Sequence, residues 1–548
     1  MKRRNVLKGL ALLPLTGSML PKQSLAGPIL SDKGSLVSQI PGPSVASSEL
    51  NIFRSIGVEP IINCRGAFTI LGGSLELPQV REAMEAASQN FVQYDELADG
   101  ISKRLAEITG AEWAMVSAGC AAGLKHITAA CVTGGNPEKL IRIPDLTGLE
   151  KTEVIIPEYS RNVYDHAVRN IGVKIVHVSS PEELKKAINS KTAMIYVNAV
   201  EGSFTGQPFS LEVISKIAKP ANIPVLIDAA AEHLTIPPVH LKRGADVVAY
   251  SGGKAIRGPQ CAGLMLGNKD ILMSAWQASS PHHGPGRDNK VGREEMMGML
   301  AAVESWAKRD HEAEWKRWLS WLDTISKKML TINGVKTLII EPTALSNKYP
   351  VLKISWDPAK LNVNGNEIAE EVGRNKPRVA VGDADHPDGT TSIDITAGHM
   401  KEGEDRLVAD RLYEVLSRKR SPKSETMNSP SGNLSGTWKV GIKFFSSMDQ
   451  HIFTLIQDGN WVNGTHKSEF HERLIAGTIE GNQVKLKSVA EMPGNSITFY
   501  FSGTVSGDSI TGDIHLGEYR TAKFTATREK SKAVRRKVSV PGGPPLAT

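Results

Sequence analysis

Four cysteines in 548 residues are too few for a disulfide-stapled scaffold. Cys64, Cys120, Cys131 and Cys261 also lack the paired spacing of a structural metal site, so no metal is expected and they read as small buried residues. No apolar run reaches the roughly 18 residues that cross a bilayer, which argues against integral membrane association. A strong charge imbalance is missing too. Against 65 Lys and Arg stand 58 Asp and Glu, a net +7, and so mild an excess implies no nucleic-acid partner. Part of it is local, since residues 528–537 hold six basic residues and one acid. What the chain does have is length and ordinary globular composition, 40% hydrophobic and 22% charged, with room for roughly two to four domains.

Arg3 and Arg4 precede a moderately apolar stretch at 6–20, and Ser24-Leu25-Ala26 offers small residues at both positions that a signal peptidase reads. Residues 1–26 therefore read as a twin-arginine secretion signal, and the expected location is periplasmic or otherwise extracytoplasmic. Residues 27–48 are rich in Gly, Pro and Ser and form a linker. From 49 to 417, apolar runs of strand length alternate with helical patterns, the signature of βαβ units. Residues 192–198, 224–228 and 246–250 are buried-strand candidates, with a helix at 211–219 between the first two. A polar linker spans 418–433. Residues 434–528 then carry about eight short alternating runs, punctuated by turn chemistry at Gly459, Gly481, Gly494 and Gly507, and predict a self-closing antiparallel meander. Its opening Gly436-Thr437-Trp438 resembles the start of lipocalin-like barrels. Its histidines, His451, His466, His471 and His515, are expected at the surface, and residues 529–548 form a basic, disordered tail.

Three features carry chemistry. The run SGGK at 251–254 follows a strand directly, which delivers the Lys254 amine to the carboxyl end of the sheet, where open α/β folds bind ligands. Alone it fits a salt-bridging or solvent-facing lysine as well as a Schiff-base lysine. Asp228 ends the preceding strand, where a carboxylate can hold a protonated pyridine nitrogen. The small-residue run VSAGCAAG at 116–123 leads into a helical pattern whose first amides suit a phosphate, although a plain tight turn reads the same way.

In the order phosphate loop, acid, lysine, these segments resemble the fold-type I enzymes that use pyridoxal 5'-phosphate. With LAEITGAEWAMVSAGCAAGLKHITAAC at 105–131, RNVYDHAVRNIG at 161–172, SGGKAIRGPQCAG at 251–263 and RDNKVGRE at 287–294, the chain is similar to the selenocysteine synthase (L-seryl-tRNA(Sec) selenium transferase) and D-glucosaminate-6-phosphate ammonia-lyase group. The resemblance covers roughly residues 50–417. It implies a mostly parallel sheet with covering helices as the large domain (about 75–310) and a small α/β domain from 49–74 and 311–417. It implies that Lys254 carries the cofactor and then acts as base at Cα, that Asp228 keeps the ring nitrogen protonated, and that Ser117, Gly119, Cys120 and Ser251 serve the phosphate. His233 would touch the ring oxygen or substrate, or simply begin a helix. Arg161 and His166 are the candidates for stacking on the ring. Arg287, Lys290 and Arg378 are candidates for an acidic group of the substrate, the first two being equally readable as solvated loop residues. A homodimer or higher homo-oligomer is implied.

The expected activity is that of an ammonia-lyase: Cα deprotonation and β-elimination on an amino acid or amino sugar acid, releasing ammonia and a 2-keto product. Aminotransferase, aldolase, racemase or selenium-transferase-like chemistry is the alternative. A degenerate fold presenting its β-domain to a glycan or surface is the non-enzymatic one, against which the intact Lys254 and Asp228 speak.

Overall fold

The computed structural model describes residues 51–424 and 426–530. The expected signal, the first linker and nearly all of the basic tail lie outside the described residues. Residues 51–60 belong to a separate small unit with one 3-10 turn, Arg54–Ile56, closed by an Arg54–Glu59 ion pair at 2.9 Å.

The large domain is a seven-stranded sheet. In chain order its strands are β1 (Trp113–Ser117), β2 (Glu153–Pro157), β3 (Lys174–Val178), β4 (Thr192–Asn198), β5 (Val225–Asp228), β6 (Val247–Ser251) and β7 (Gly263–Gly267). They lie in the order β1-β7-β6-β5-β4-β2-β3, and only β7 runs antiparallel to its neighbours. The near-continuous apolar runs of β4, β5 and β6 follow from burial on both faces, and their polar residues fall at the carboxyl ends. Helix α1 (Cys120–Thr133) is apolar almost all round and packs on this sheet. Its Gly123 lets the Met265 side chain of β7 lie against the helix, since a Cβ there would sit 2.1 Å from the Met265 methyl and push that side chain aside.

The small domain is an antiparallel sheet of β8 (Lys336–Ile340), β9 (Val351–Trp356), β10 (Gly382–Asp385) and β11 (Thr391–Thr396), in the order β10-β11-β9-β8. Its own core centres on Trp318, Trp321, Trp356 and Leu412, and includes Cys64. Ile62 and Asn63 join it by pairing in parallel with Val379 and Ala380.

The C-terminal strands, β12 (Gly436–Lys443), β13 (Met448–Asp458), β14 (Trp461–Lys467), β15 (Glu472–Glu480), β16 (Gln483–Met492), β17 (Asn495–Ser506), β18 (Ser509–His515) and β19 (Thr521–Arg528), close into an antiparallel barrel. Gly459, Gly481, Gly494 and Gly507 all take positive φ at its hairpin tips. Trp438 lies inside, with the Arg528 guanidinium 4.3 Å from its ring centroid, and Phe453, Phe499, Phe501 and Phe524 fill the interior.

Two expectations are corrected. His451 and His466 are not surface residues: both are buried, because each sits on the inward register of its strand, two residues from Phe453 and four from Val462 respectively. They bond to each other at 2.7 Å, with Asp449 on one side and Ser488 on the other. Cys261 is exposed, not buried, since it lies in the turn between Lys254 and β7 rather than in a packed element.

Candidate active site

The carboxyl ends of β5 and β6 bring Asp228 and Lys254 together. Asp228 closes β5 with its side chain buried. Its Oδ1 accepts from the Ala230 amide at 3.1 Å and faces the Cys120 thiol at 3.8 Å, while its Oδ2 accepts from the Tyr196 hydroxyl at 2.9 Å. Burial pushes the carboxyl above its ordinary range, and the hydrogen bonds together with the Lys254 charge pull it back. Burial and the neighbouring Asp228 charge push the Cys120 thiol well up, so it stays neutral. Lys254 lies in the turn after β6, and no hydrogen bond or ion pair engages its amine among the described residues. Residues 73–77 lie over that turn: the Ser74 amide donates to the Gly253 carbonyl at 3.0 Å and the Leu77 amide to Arg257.

The 117–120 loop meets the same end of the sheet. Gly119 adopts φ +87° as the residue before α1, and a Cβ there would meet nothing within 4 Å, so space adjoins the loop. The first amides of α1 have no partner earlier in the helix, which makes this end an anion site. The opposite wall is tight: a Cβ on Gly263 of β7 would lie 2.6 Å from the Cys120 amide. Ser117 is fully buried and its hydroxyl donates to the Gly119 carbonyl at 2.9 Å. It therefore shapes the loop. An anion cradle, a strand-end carboxylate and an unengaged amine fit pyridoxal phosphate.

Other expected residues are placed differently. His233 packs edge-on against Trp306 and Tyr349, at 5.3 and 5.5 Å between centroids, in a cavity of about 440 Å³ also lined by Arg257 and Arg309. Burial pushes it down to about 4, and none of the hydrogen bonds of Asp228 involves it. Arg161 is taken up by Asp165 at 2.5 Å and by the Pro493 carbonyl at 2.9 Å, and His166 is exposed beside Arg169. The Arg161 guanidinium is thus committed to the loop after β2 and to the barrel. Arg287 and Lys290 are exposed on a loop tied to α1 by Lys125, whose amine reaches Asp288 at 2.7 Å and Asn289 at 3.1 Å. Arg378 lies in the small domain, its Nε donating to the Gly373 carbonyl at 2.7 Å. Tyr196 and Asn162, which complete the surroundings of Asp228, carry little mark in the sequence. The one available signal is a tyrosine in an otherwise apolar strand, since a buried phenol needs a partner.

Comparison with known proteins gives this geometry a context. Residues 95–310 match the family described as Cys/Met metabolism PLP-dependent enzyme. D-glucosaminate-6-phosphate ammonia lyase of Salmonella typhimurium is 28% identical over 375 residues, 67% of this chain and 98% of that enzyme. A 5'-C-glycyluridine monooxygenase-decarboxylase of a Streptomyces species is 27% identical over 379 residues, 66% of this chain and 92% of its own. L-seryl-tRNA(Sec) selenium transferase of Proteus mirabilis matches over less, 24% identical across 46% of this chain and 57% of that enzyme. The solved structure of D-glucosaminate-6-phosphate ammonia-lyase superposes with a TM-score of 0.60 at 25% identity, covering all of that chain and 68% of this one.

Proposed function

This chain is a pyridoxal-phosphate-dependent enzyme of the fold-type I architecture, and from that premise we propose that it is an exported lyase. It removes a β substituent from an amino acid or amino sugar acid and releases ammonia and a 2-keto product. The observation that carries this reading is the match to an ammonia lyase over 98% of that enzyme's length, joined to an unengaged Lys254 amine beside a buried Asp228. Export rests on Arg3, Arg4 and the apolar stretch that follows them.

Pyridoxal phosphate supplies an aldehyde that condenses with amines and a protonated ring that draws electrons from Cα. The chain supplies the rest. The first amides of α1 and the Ser251 hydroxyl would hold the phosphate, and Asp228 would keep the ring nitrogen protonated. Arg287 and Lys290, on their exposed loop, would offer cations to the substrate's acidic groups, whereas the Arg378 guanidinium is engaged within the small domain. The Lys254 amine takes the Cα proton. Loss of that proton would let the β substituent leave with its bonding electrons, and hydrolysis of the unsaturated amine would give ammonia and the 2-keto acid. The working unit is a symmetric oligomer. Exposed Phe68, Ile70 and Leu75 support this, as Leu75 belongs to the segment lying over the Lys254 turn and Phe68 and Ile70 lead into it.

The test incubates the purified full chain with D- and L-amino acids and amino sugar acids, following ammonia and keto acid together. Equal amounts of both are expected, and borohydride should fix the cofactor on the peptide bearing Lys254. A keto acid formed without ammonia would overturn the lyase reading. The monooxygenase-decarboxylase relative supports a second reading, oxidative decarboxylation, which would instead show oxygen uptake and carbon dioxide release.

A further inference from the structure

The barrel touches the large domain at one place that leads to the cofactor site. The β16–β17 hairpin turns at Pro493 and Gly494, and its tip lies on the loop after β2. The Pro493 carbonyl accepts from Arg161 Nη2 at 2.9 Å. Gly494, at φ +77°, sits so close that a Cβ would lie 2.9 Å from the Asn162 amide nitrogen and 3.2 Å from Asp165 Oδ2. Asp165, fully buried, holds the loop together between Arg161 at 2.5 Å and Arg169 at 2.9 Å.

From that loop a path of hydrogen bonds runs inward to Asp228. Asn162 Nδ2 donates to the Ser160 carbonyl at 2.9 Å and to the Tyr196 hydroxyl at 3.0 Å, while its Oδ1 accepts from the Tyr164 amide at 2.7 Å. Those three contacts settle the orientation of the amide. A hydroxyl has one proton, and the Asn162 donor occupies a lone pair of Tyr196, so the Tyr196 proton goes to Asp228 Oδ2, 2.9 Å away. Every link has a defined direction, and the path ends on the carboxylate that faces the ring nitrogen. We infer that the β16–β17 hairpin of the barrel is a positioning element for the cofactor site, clamping the Arg161–Asp165 loop so that Asn162 and Tyr196 hold Asp228 in place. This inference rests on the cofactor and not on which reaction it serves. The aligned ammonia-lyase structure is fully covered by 68% of this chain, so the clamp is an addition to a scaffold that already carries the chemistry.

The experiment uses the full-length protein loaded with pyridoxal phosphate. Gly494→Ala pushes the tip off the loop, whereas Gly507→Ala places similar strain, at φ +57°, in a turn where a Cβ meets nothing within 4 Å. Tyr196→Phe and Asn162→Ala cut the path further in. Readouts are the pH midpoint of the bound cofactor's visible absorbance, its release rate, and hydrogen exchange of residues 158–169. Tyr196→Phe, Asn162→Ala and Gly494→Ala should all shift the midpoint in one direction. Each should speed release, Tyr196→Phe by about tenfold, the scale of losing a hydrogen bond to a charged group, while Gly507→Ala matches the parent. Gly494→Ala should also raise exchange in 158–169. If Gly494→Ala expresses poorly, Arg161→Lys, which gives up the Pro493 carbonyl but keeps a cation beside Asp165, carries the same expectation. A Gly494→Ala or Arg161→Lys protein with parental spectrum and release overturns the clamp, and a silent Tyr196→Phe overturns the whole path.

Discussion

Asp228 is held between opposing effects. Burial favours the neutral acid, and two hydrogen bonds and a nearby ammonium favour the carboxylate. A bound pyridinium would add the direct counter-charge, so in the proposed reading ionisation of Asp228 and protonation of the ring support each other. Asp228→Asn keeps the shape and removes the charge. That variant should still bind cofactor, because the phosphate cradle is separate, yet lose about two orders of magnitude or more in turnover, the scale of breaking a buried charge pair. Steady-state rates at saturating cofactor check it, and a parental rate would remove Asp228 from the mechanism. Cys120, although beside Asp228, is no nucleophile: a buried thiol next to a carboxylate stays protonated.

At the scale of elements, strand alternation decides what the barrel encloses, and in β13 and β14 it turns two histidines inward. His466 is pushed down to about 2, first by burial and then by Arg473 and His451, and burial likewise lowers His451, opposed by Asp449. The unfolded chain takes up these protons below about 6.5, while the folded barrel does not. The neutral pair therefore contributes its full stability above 6.5, and that contribution falls as the pH drops from there toward 2. The barrel's melting temperature should hold steady above pH 7 and fall by roughly 5 °C per pH unit between 6 and 4. His466→Gln should flatten the slope. Circular dichroism scans of the full chain check this, and equal slopes for parent and variant would exclude the histidine pair as the cause.

At the scale of the molecule, three separate cores among the described residues account for the large domain, the small domain and the barrel. A closed barrel has no open edge, and Trp438, Phe453, Phe501 and Phe524 are buried among the barrel's own residues. A fragment of residues 431–530 should therefore fold alone, with a β-rich spectrum and one cooperative transition. A disordered spectrum would mean that the barrel depends on the large domain. The clamp runs the other way: the hairpin can order the Arg161–Asp165 loop without taking stability from it.

Much of this was legible along the chain. The apolar runs ending in Asp228 and Ser251 marked buried strands with polar carboxyl ends, because a strand covered on both faces tolerates polarity only where it leaves the sheet. The glycines at 459, 481, 494 and 507 marked the barrel's hairpins, because only glycine takes their φ without cost. Lys254 and Asp228 were readable for the same local reason: Asp228 is the last residue of its strand and Lys254 lies in the turn that follows its own. The residues misread were those whose surroundings come from distant segments. His451 looks like any exposed polar residue until strand closure encloses it. Arg161 looks free to stack on a ring until a carbonyl 332 positions away takes its guanidinium. Tyr196 is one more residue of an apolar strand until Asn162 and Asp228 arrive on either side of its hydroxyl. Sequence alone determined backbone pattern, turn positions and the placing of Asp228 and Lys254 at the carboxyl ends of their strands, since these follow from local periodicity and steric freedom. Tertiary structure decided burial, hydrogen-bond direction and the link between barrel and cofactor site, since each depends on which distant group fills the space beside a side chain.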